Sequence, residues 1–409
     1  MFFVVLSLSL PVRFADPSIS YGQEPGAQRP RRVPAQDNPN RPAPGETASP
    51  RPGGTPAPAQ PAPADVGEDD VLTVDTQLVP VPVVVRDGAG RPVPNLRPED
   101  FVIYEDGRPQ RISNFATSDA PFEVALLLDT SGSTRADLGL IRRAAELFTE
   151  QLRKGDRVAI VSFKTVEEEG EKRAEVVVNS PLTGDHDALE GAIETIGTSH
   201  GTPLYDALEV VVKEVFRKPP REGAEGRRAL VALTDGVDST SIAEFEEARV
   251  RLLRSGVFGY FIQVNTEAYV EERLLRHCQD RGQLGLSKVQ LERYRRIFAA
   301  QADPADFSNF CQLGPFERMH ISRALYHLAR TEMQELARAT GGRTFPATDL
   351  RDARRAFSQV AEEIGKLYSL GYYPTNKARD GRYRAIRVEV KGHPGVTVSA
   401  REGYQAPKS

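Results

Sequence analysis

Val124-Ala125-Leu126-Leu127-Leu128-Asp129-Thr130-Ser131-Gly132-Ser133 is the stretch that decides the fold. Five apolar residues that stop at a Gly/Ser turn read as a buried parallel strand ending in a loop. Asp129, Ser131 and Ser133 then occupy alternate positions at the strand's C-terminal end. In open α/β sheets that is the edge where ligands bind. Oxygen-only side chains there suit a hard divalent cation such as magnesium.

Around this stretch, strand and helix patterns alternate. Strands are predicted at Val124–Leu128, Val158–Phe163, Ala174–Val178, Ala229–Leu233, Val257–Val264 and Arg343–Pro346. Helices are predicted at Asp137–Leu152, Asp187–Ile196, Leu204–Phe216, Ile242–Ser255, Glu332–Ala339 and Leu350–Ile364. The alternation predicts a Rossmann-like, doubly wound, mostly parallel α/β sheet over residues 119–375. Residues 266–331 break the rhythm and read as a helical insert, with Tyr294, Ile297 and Phe298 on one helix face.

Outside this block the pattern is strands and turns. Val79–Val85 carries Pro80 and Pro82, which predict an edge strand. Phe101–Tyr104 runs into the turn Glu105-Asp106-Gly107-Arg108, a hairpin signal. Tyr383–Val390 and Val396–Ala400 form a second strand pair. Residues 71–118 and 376–406 are each too short for a core of their own. They are therefore expected to join as one small β-sandwich, with the α/β domain inserted between them.

Twelve of the chain's 31 prolines fall between Pro25 and Pro63, so residues 21–70 read as an extended, unfolded linker. Residues 1–20 open with the apolar MFFVVLSLSL, which has the length of a signal-peptide core but no charged start. With the linker behind it, this segment predicts an exported protein. The net charge of −4 and the lack of a basic block exclude nucleic acid as the expected partner. No run of 18 apolar residues occurs, so no membrane-spanning helix is expected. The two cysteines, Cys278 and Cys311, fit a disulfide or two thiols. Zinc with His277, His320 and His327 is the third reading, although paired ligand spacings are lacking. Nothing in the sequence specifies an oligomeric state.

Two further clues join the opening motif. Thr202 precedes the helix at Leu204, and Asp235 ends the second apolar strand in Leu230-Val231-Ala232-Leu233-Thr234-Asp235-Gly236. Singly, Thr202 could be a helix cap with Pro203 at the first helical position, and Asp235 a turn residue. Together they place two carboxylates on strands about 5 Å apart, which would repel unless a cation lay between them. Ser131, Ser133 and Thr202 add three neutral oxygens.

These five residues resemble the metal-ion-dependent adhesion site of von Willebrand factor type A domains, over roughly residues 121–373 less the insert. The resemblance implies bound Mg2+ or Mn2+. Ser131, Ser133 and Thr202 would coordinate it, Asp129 and Asp235 would hold the shell, and an Asp or Glu of a partner protein would complete it. The flanking Asp100-Phe101, Ile103-Tyr104-Glu105-Asp106-Gly107, Leu370-Gly371-Tyr372-Tyr373-Pro374 and Arg401-Glu402-Gly403-Tyr404 are similar to bacterial proteins described as acidobacterial von Willebrand A-related. A non-enzymatic adhesion or interaction module is the expectation. Its main rival is a magnesium-dependent hydrolase using the same carboxylates, with His200 as base. Asp129-Thr130-Ser131-Gly132 also resembles an aspartic-protease turn, but the α/β rhythm fits no such enzyme. Because the insert leaves a strand at its C-terminal end, it is expected to wall the site and shape partner choice; the alternative is a helical appendage on the sheet's side.

Overall fold

The structure, a computed structural model, describes residues 78–117, 120–134, 138–168, 171–224, 226–276 and 285–408. The expected leader (1–20) and linker (21–70), and Cys278, lie outside these residues.

In chain order the strands β1 (Val79–Arg86), β2 (Phe101–Glu105), β3 (Arg108–Gln110) and β4 (Ile112–Ala116) come first. Then follow β5 (Glu123–Leu128), α1 (Leu138–Thr149), β6 (Arg157–Glu168), β7 (Glu171–Thr183), α2 (His186–Glu194) and α3 (Leu204–Val210). The second half of the central block is β8 (Arg228–Thr234), α4 (Phe245–Ser255), β9 (Phe258–Val264), α5 (Glu267–Arg276), α6 (Lys288–Phe298), α7 (Pro315–Thr340), β10 (Arg343–Ala347) and α8 (Leu350–Gly365). The chain closes with β11 (Tyr368–Tyr372), β12 (Tyr383–Val390), β13 (Thr397–Ala400) and β14 (Gly403–Gln405).

The central sheet runs β10-β9-β8-β5-β6-β7. Every pair is parallel except β6–β7, so the doubly wound sheet carries one antiparallel edge. Strand β5 explains the apolar run. Val124, Leu126 and Leu128 pack towards α1, α2 and α8, with Phe148, Ile193 and Phe357. Ala125 and Leu127 face α3, α4 and α7, with Leu208, Leu252 and Leu336. A strand covered on both faces needs no polar alternation.

Two four-stranded antiparallel sheets, β13-β1-β11-β4 and β14-β12-β2-β3, enclose a third apolar core that includes Val81, Val83, Phe101, Ile103, Leu370 and Val388. This is the sandwich built from both ends of the block. Strand β11, placed with the α/β domain by sequence, pairs with β1 and β4 instead. Its five residues are all buried, so it reads locally like a central-sheet strand. The edge-strand expectation for β1 also needs correction, because β1 lies between β11 and β13. Only Val83–Arg86 pairs with β13, however, whereas Val79–Pro82 pairs with β11 alone. The Pro80 carbonyl accepts from Arg401 on the open side, so the proline nitrogens face a side where no ladder donor is required.

The insert forms α5, α6 and the first half of α7. Its small core includes Leu274, Leu291, Tyr294, Ile321 and Leu325. Tyr294 is buried, but Ile297 and Phe298 are exposed, so the expected apolar face is only partly used. The helix expected at Glu332–Ala339 is the C-terminal part of the 26-residue α7. The helix expected over Leu204–Phe216 changes at Val211 into a wider π turn, Val211–Val215.

Candidate metal centre

Strand β5 pairs with β6 on one side and β8 on the other. The crevice at the β5–β8 switch point is where open α/β sheets bind ligands. Leu128 is in register with Leu233, so the next residues on both strands meet just past the sheet edge.

Asp129 is wholly buried. Its amide donates to the Leu233 carbonyl at 2.9 Å. Its Oδ1 accepts the Ser131 amide at 3.0 Å, and its Oδ2 accepts the Thr234 hydroxyl at 2.6 Å. The Ser131 and Ser133 hydroxyls lie 3.1 Å apart, and Ser133 Oγ donates to Asp235 Oδ2 at 2.8 Å. Asp235 Oδ1 accepts the Val237 amide at 3.1 Å, so Asp235 is a turn former as well as a site residue.

Thr202 does not cap the following helix. Pro203 is the N-cap rather than the first helical residue, and no side chain caps there. Instead the Tyr205 amide is taken by Asp238 Oδ2 at 3.2 Å and Ser241 Oγ at 3.0 Å. The Thr202 backbone is pinned to Ser239, its amide donating to Ser239 Oγ at 2.8 Å and its carbonyl accepting the Ser239 amide at 3.0 Å. This leaves the Thr202 side chain on the wall of a cleft of about 330 Å³ that also carries Ser131, Ser133 and Asp235. Four of the five sequence candidates therefore line one cleft, and Asp129 lies beneath it.

The electrostatics are unusual for a buried pair. Among the described residues, neither Asp129 nor Asp235 has a Lys or Arg partner; their contacts are hydroxyls and amides. Burial, then the charge of Asp235, pushes the Asp129 carboxyl up to about 7, against the lowering by Thr234 and Ser131. Buried carboxylates are normally paired with a cation. Two carboxylates ringed by neutral hydroxyls make a donor set that fits a hard divalent ion. The zinc reading of the cysteines draws on His277 and Cys278, which lie outside the described residues.

Sequence reasoning missed the residues that hold Asp235. Thr266 Oγ1 donates to Asp235 Oδ2 at 2.6 Å, and the Tyr326 hydroxyl lies 3.4 Å from the same oxygen and 2.7 Å from Thr266. Thr266 had a readable signal, since it follows a third apolar strand end, after Val264-Asn265. Tyr326 had none, because it sits within a long helix. The insert also lines the cleft through residues such as Val270, Leu274, Phe310 and Leu325, while the C-terminal half of α7 packs Met333 and Leu336 on the sheet. Residues of the insert thus form part of the cleft wall, whereas Met333 and Leu336 lie beyond it, on the helix expected at Glu332–Ala339. Cys311 lies in the short turn Phe310–Gln312, beside this wall.

The family model described as von Willebrand factor type A domain matches residues 124–237. No curated protein matches the chain in sequence. Similar solved structures include proximal thread matrix protein 1 from the mussel byssus, at 15% identity and TM-score 0.37, over 64% of this chain and 50% of that one. Another is a von Willebrand factor type A protein from Catenulispora acidiphila, at 11% identity and TM-score 0.38, over 82% of this chain and 75% of that one. A third is the von Willebrand domain of the type V pili tip protein Mfa5 from Porphyromonas gingivalis, at 12% identity and TM-score 0.32, over 61% and 96%. The chain spans half the length of the mussel protein.

Proposed function

Residues 124–237 being a von Willebrand factor type A domain, we propose that this chain is a non-enzymatic binding module whose strand-end centre takes Mg2+ or Mn2+. The observation that carries this reading is the pair of buried carboxylates, Asp129 and Asp235, with hydroxyls and, among the described residues, no basic side chain around them.

Ser131, Ser133 and Thr202 would hold the ion by their oxygens, with Asp129 and Asp235 supplying the charge. When bound, the ion offers an open, electropositive position to a carboxylate. The expected partner is a protein that presents Asp or Glu. The chain's own residues then do the selecting. Val270, Leu274, Phe310 and Leu325 give the cleft an apolar wall, so a partner acid flanked by an apolar side chain fits better than one among charges. An apolar rim also lowers the local dielectric and strengthens the contact. We place the protein outside the cytoplasm, on the apolar start and proline-rich stretch of its sequence; no helix of the described residues is long and apolar enough to cross a membrane.

Calorimetric titration of Mg2+ and Mn2+ into wild type and Asp235→Ala tests the centre. Saturable binding by wild type and its loss in the variant are expected. Absence of binding by wild type would sink the proposal. Chelator-sensitive capture of an acidic-motif protein would then identify the partner, and Asp129-dependent phosphatase or peptidase turnover would replace the binding role with a hydrolytic one.

A further inference from the structure

Far along the chain from the metal centre, a cavity of about 670 Å³ opens where the sandwich meets the end of α4. Among the described residues, six cationic side chains line it, Arg254, Lys377, Arg379, Arg384, Arg401 and Lys408, and no Asp or Glu does. Acidic residues outnumber basic ones in this chain, 57 to 53, so one-signed lining is a local segregation of charge. Such a wall with low-dielectric backing focuses potential on the opposite sign.

The fold explains part of this wall and leaves the rest. Arg384 is neutralised by Glu105 at 3.5 Å and Asp380 at 3.4 Å. Arg401, only 4% exposed, donates to carbonyls alone: Gly403 at 3.0 Å, Pro80 at 3.4 Å and Leu253 at 2.5 Å. It thereby takes one carbonyl of the last turn of α4, that of Leu253, and ties it to β1 and β14, a sufficient structural role. That role does not account for Arg254 and Lys377, which are exposed, come from separate segments and have no hydrogen bond or ion pair among the described residues, yet border the same cavity. Pro80, Pro374, Ala406 and Pro407 add an apolar floor. The volume lies within the range of small-molecule sites, roughly 300–1,000 Å³.

We propose that this cavity is a second ligand site, for a small organic anion that carries a carboxylate or phosphate on an apolar body. Guanidinium groups favour both anions through bidentate geometry, and the apolar floor takes the remainder of the ligand. The site does not depend on the metal centre.

Phenyl phosphate is the probe, titrated by calorimetry into the full chain after metal removal on a resin, since carboxylate chelators would compete. Saturable binding is expected, with inorganic phosphate and benzyl alcohol each binding at least tenfold more weakly. The double variant Arg254→Glu/Lys377→Glu should lose at least tenfold in affinity while keeping the wild-type Mg2+ titration and thermal midpoint. Should that variant fail to fold, Lys408→Glu reports on the same wall. No saturable binding by wild type, an unchanged affinity in a folded charge-reversed variant, or equal binding of benzyl alcohol or inorganic phosphate would overturn the proposal.

Discussion

Replacing Asp129 by Asn should stabilise the metal-free protein at alkaline pH while removing its affinity for the cation. The carboxyl rises from 3.8 to about 7 in the folded state, through burial first and Asp235 second. A raised folded value means that the native state binds the proton more tightly than the unfolded chain does. The associated stability is full below about pH 4 and is lost as pH rises through 7. A rise from 3.8 to about 7 corresponds to roughly 4 kcal/mol of destabilisation at pH 8. Asn escapes this, keeps an acceptor for the Ser131 amide, and requires only that the Thr234 hydroxyl turn to accept rather than donate. That rearrangement costs about 1 kcal/mol, so the net gain is roughly 3 kcal/mol at pH 8 and nil or slightly negative at pH 4. Urea unfolding of both proteins, stripped of metal, at the two pH values measures it. Adding Mg2+ at a hundred times its dissociation constant should raise wild type by about 2.7 kcal/mol and leave the variant unmoved. A metal-free wild type as stable as Asp129→Asn at pH 8 would refute the reasoning, because the two carboxylates would then not be strained against each other.

Gly236 turns the chain at the end of β8 with a φ of +80°, and a Cβ there would lie 2.2 Å from Met333 Cε. Gly236→Ala should cost about 1–3 kcal/mol, part of it recovered by Met333→Ala in thermal melts. At the opposite end of β5, burial raises Glu123, but Arg157 and Arg228 outweigh it and hold the carboxyl below its ordinary range. The stability it contributes is therefore present above pH 4.5 and lost as pH falls through its lowered folded value; Glu123→Ala should cost roughly 3–5 kcal/mol at pH 7 and flatten the acid limb of the unfolding curve. Thr266→Val removes the shortest hydrogen bond to Asp235 and should weaken Mg2+ binding by about tenfold, or ~1.4 kcal/mol, with little change in melting temperature; unchanged affinity would deny Thr266 a positioning role.

The opening stretch was legible because its information is local. Val124–Leu128 is apolar at every position, which only a strand covered on both faces allows, and Asp129, Ser131 and Ser133 follow at once. Asp235 could be found the same way, since β8 repeats the pattern. Thr202 was legible both as a site oxygen and as a possible cap, and its freedom from the capping role depends on Asp238 and Ser241 taking the Tyr205 amide. What the sequence alone determined is thus periodicity, strand ends and the oxygen chemistry carried on them. The tertiary structure decided which distant segments complete each other. It put β11 into the sandwich, where β1 and β4 satisfy its backbone. It brought Thr266 and Tyr326 onto Asp235 and folded the insert over the cleft. It also gathered cations from residues 254, 377 and 401 around one cavity. Such pairings follow from burial and hydrogen-bond completion summed over the whole fold, and no window of sequence contains both partners.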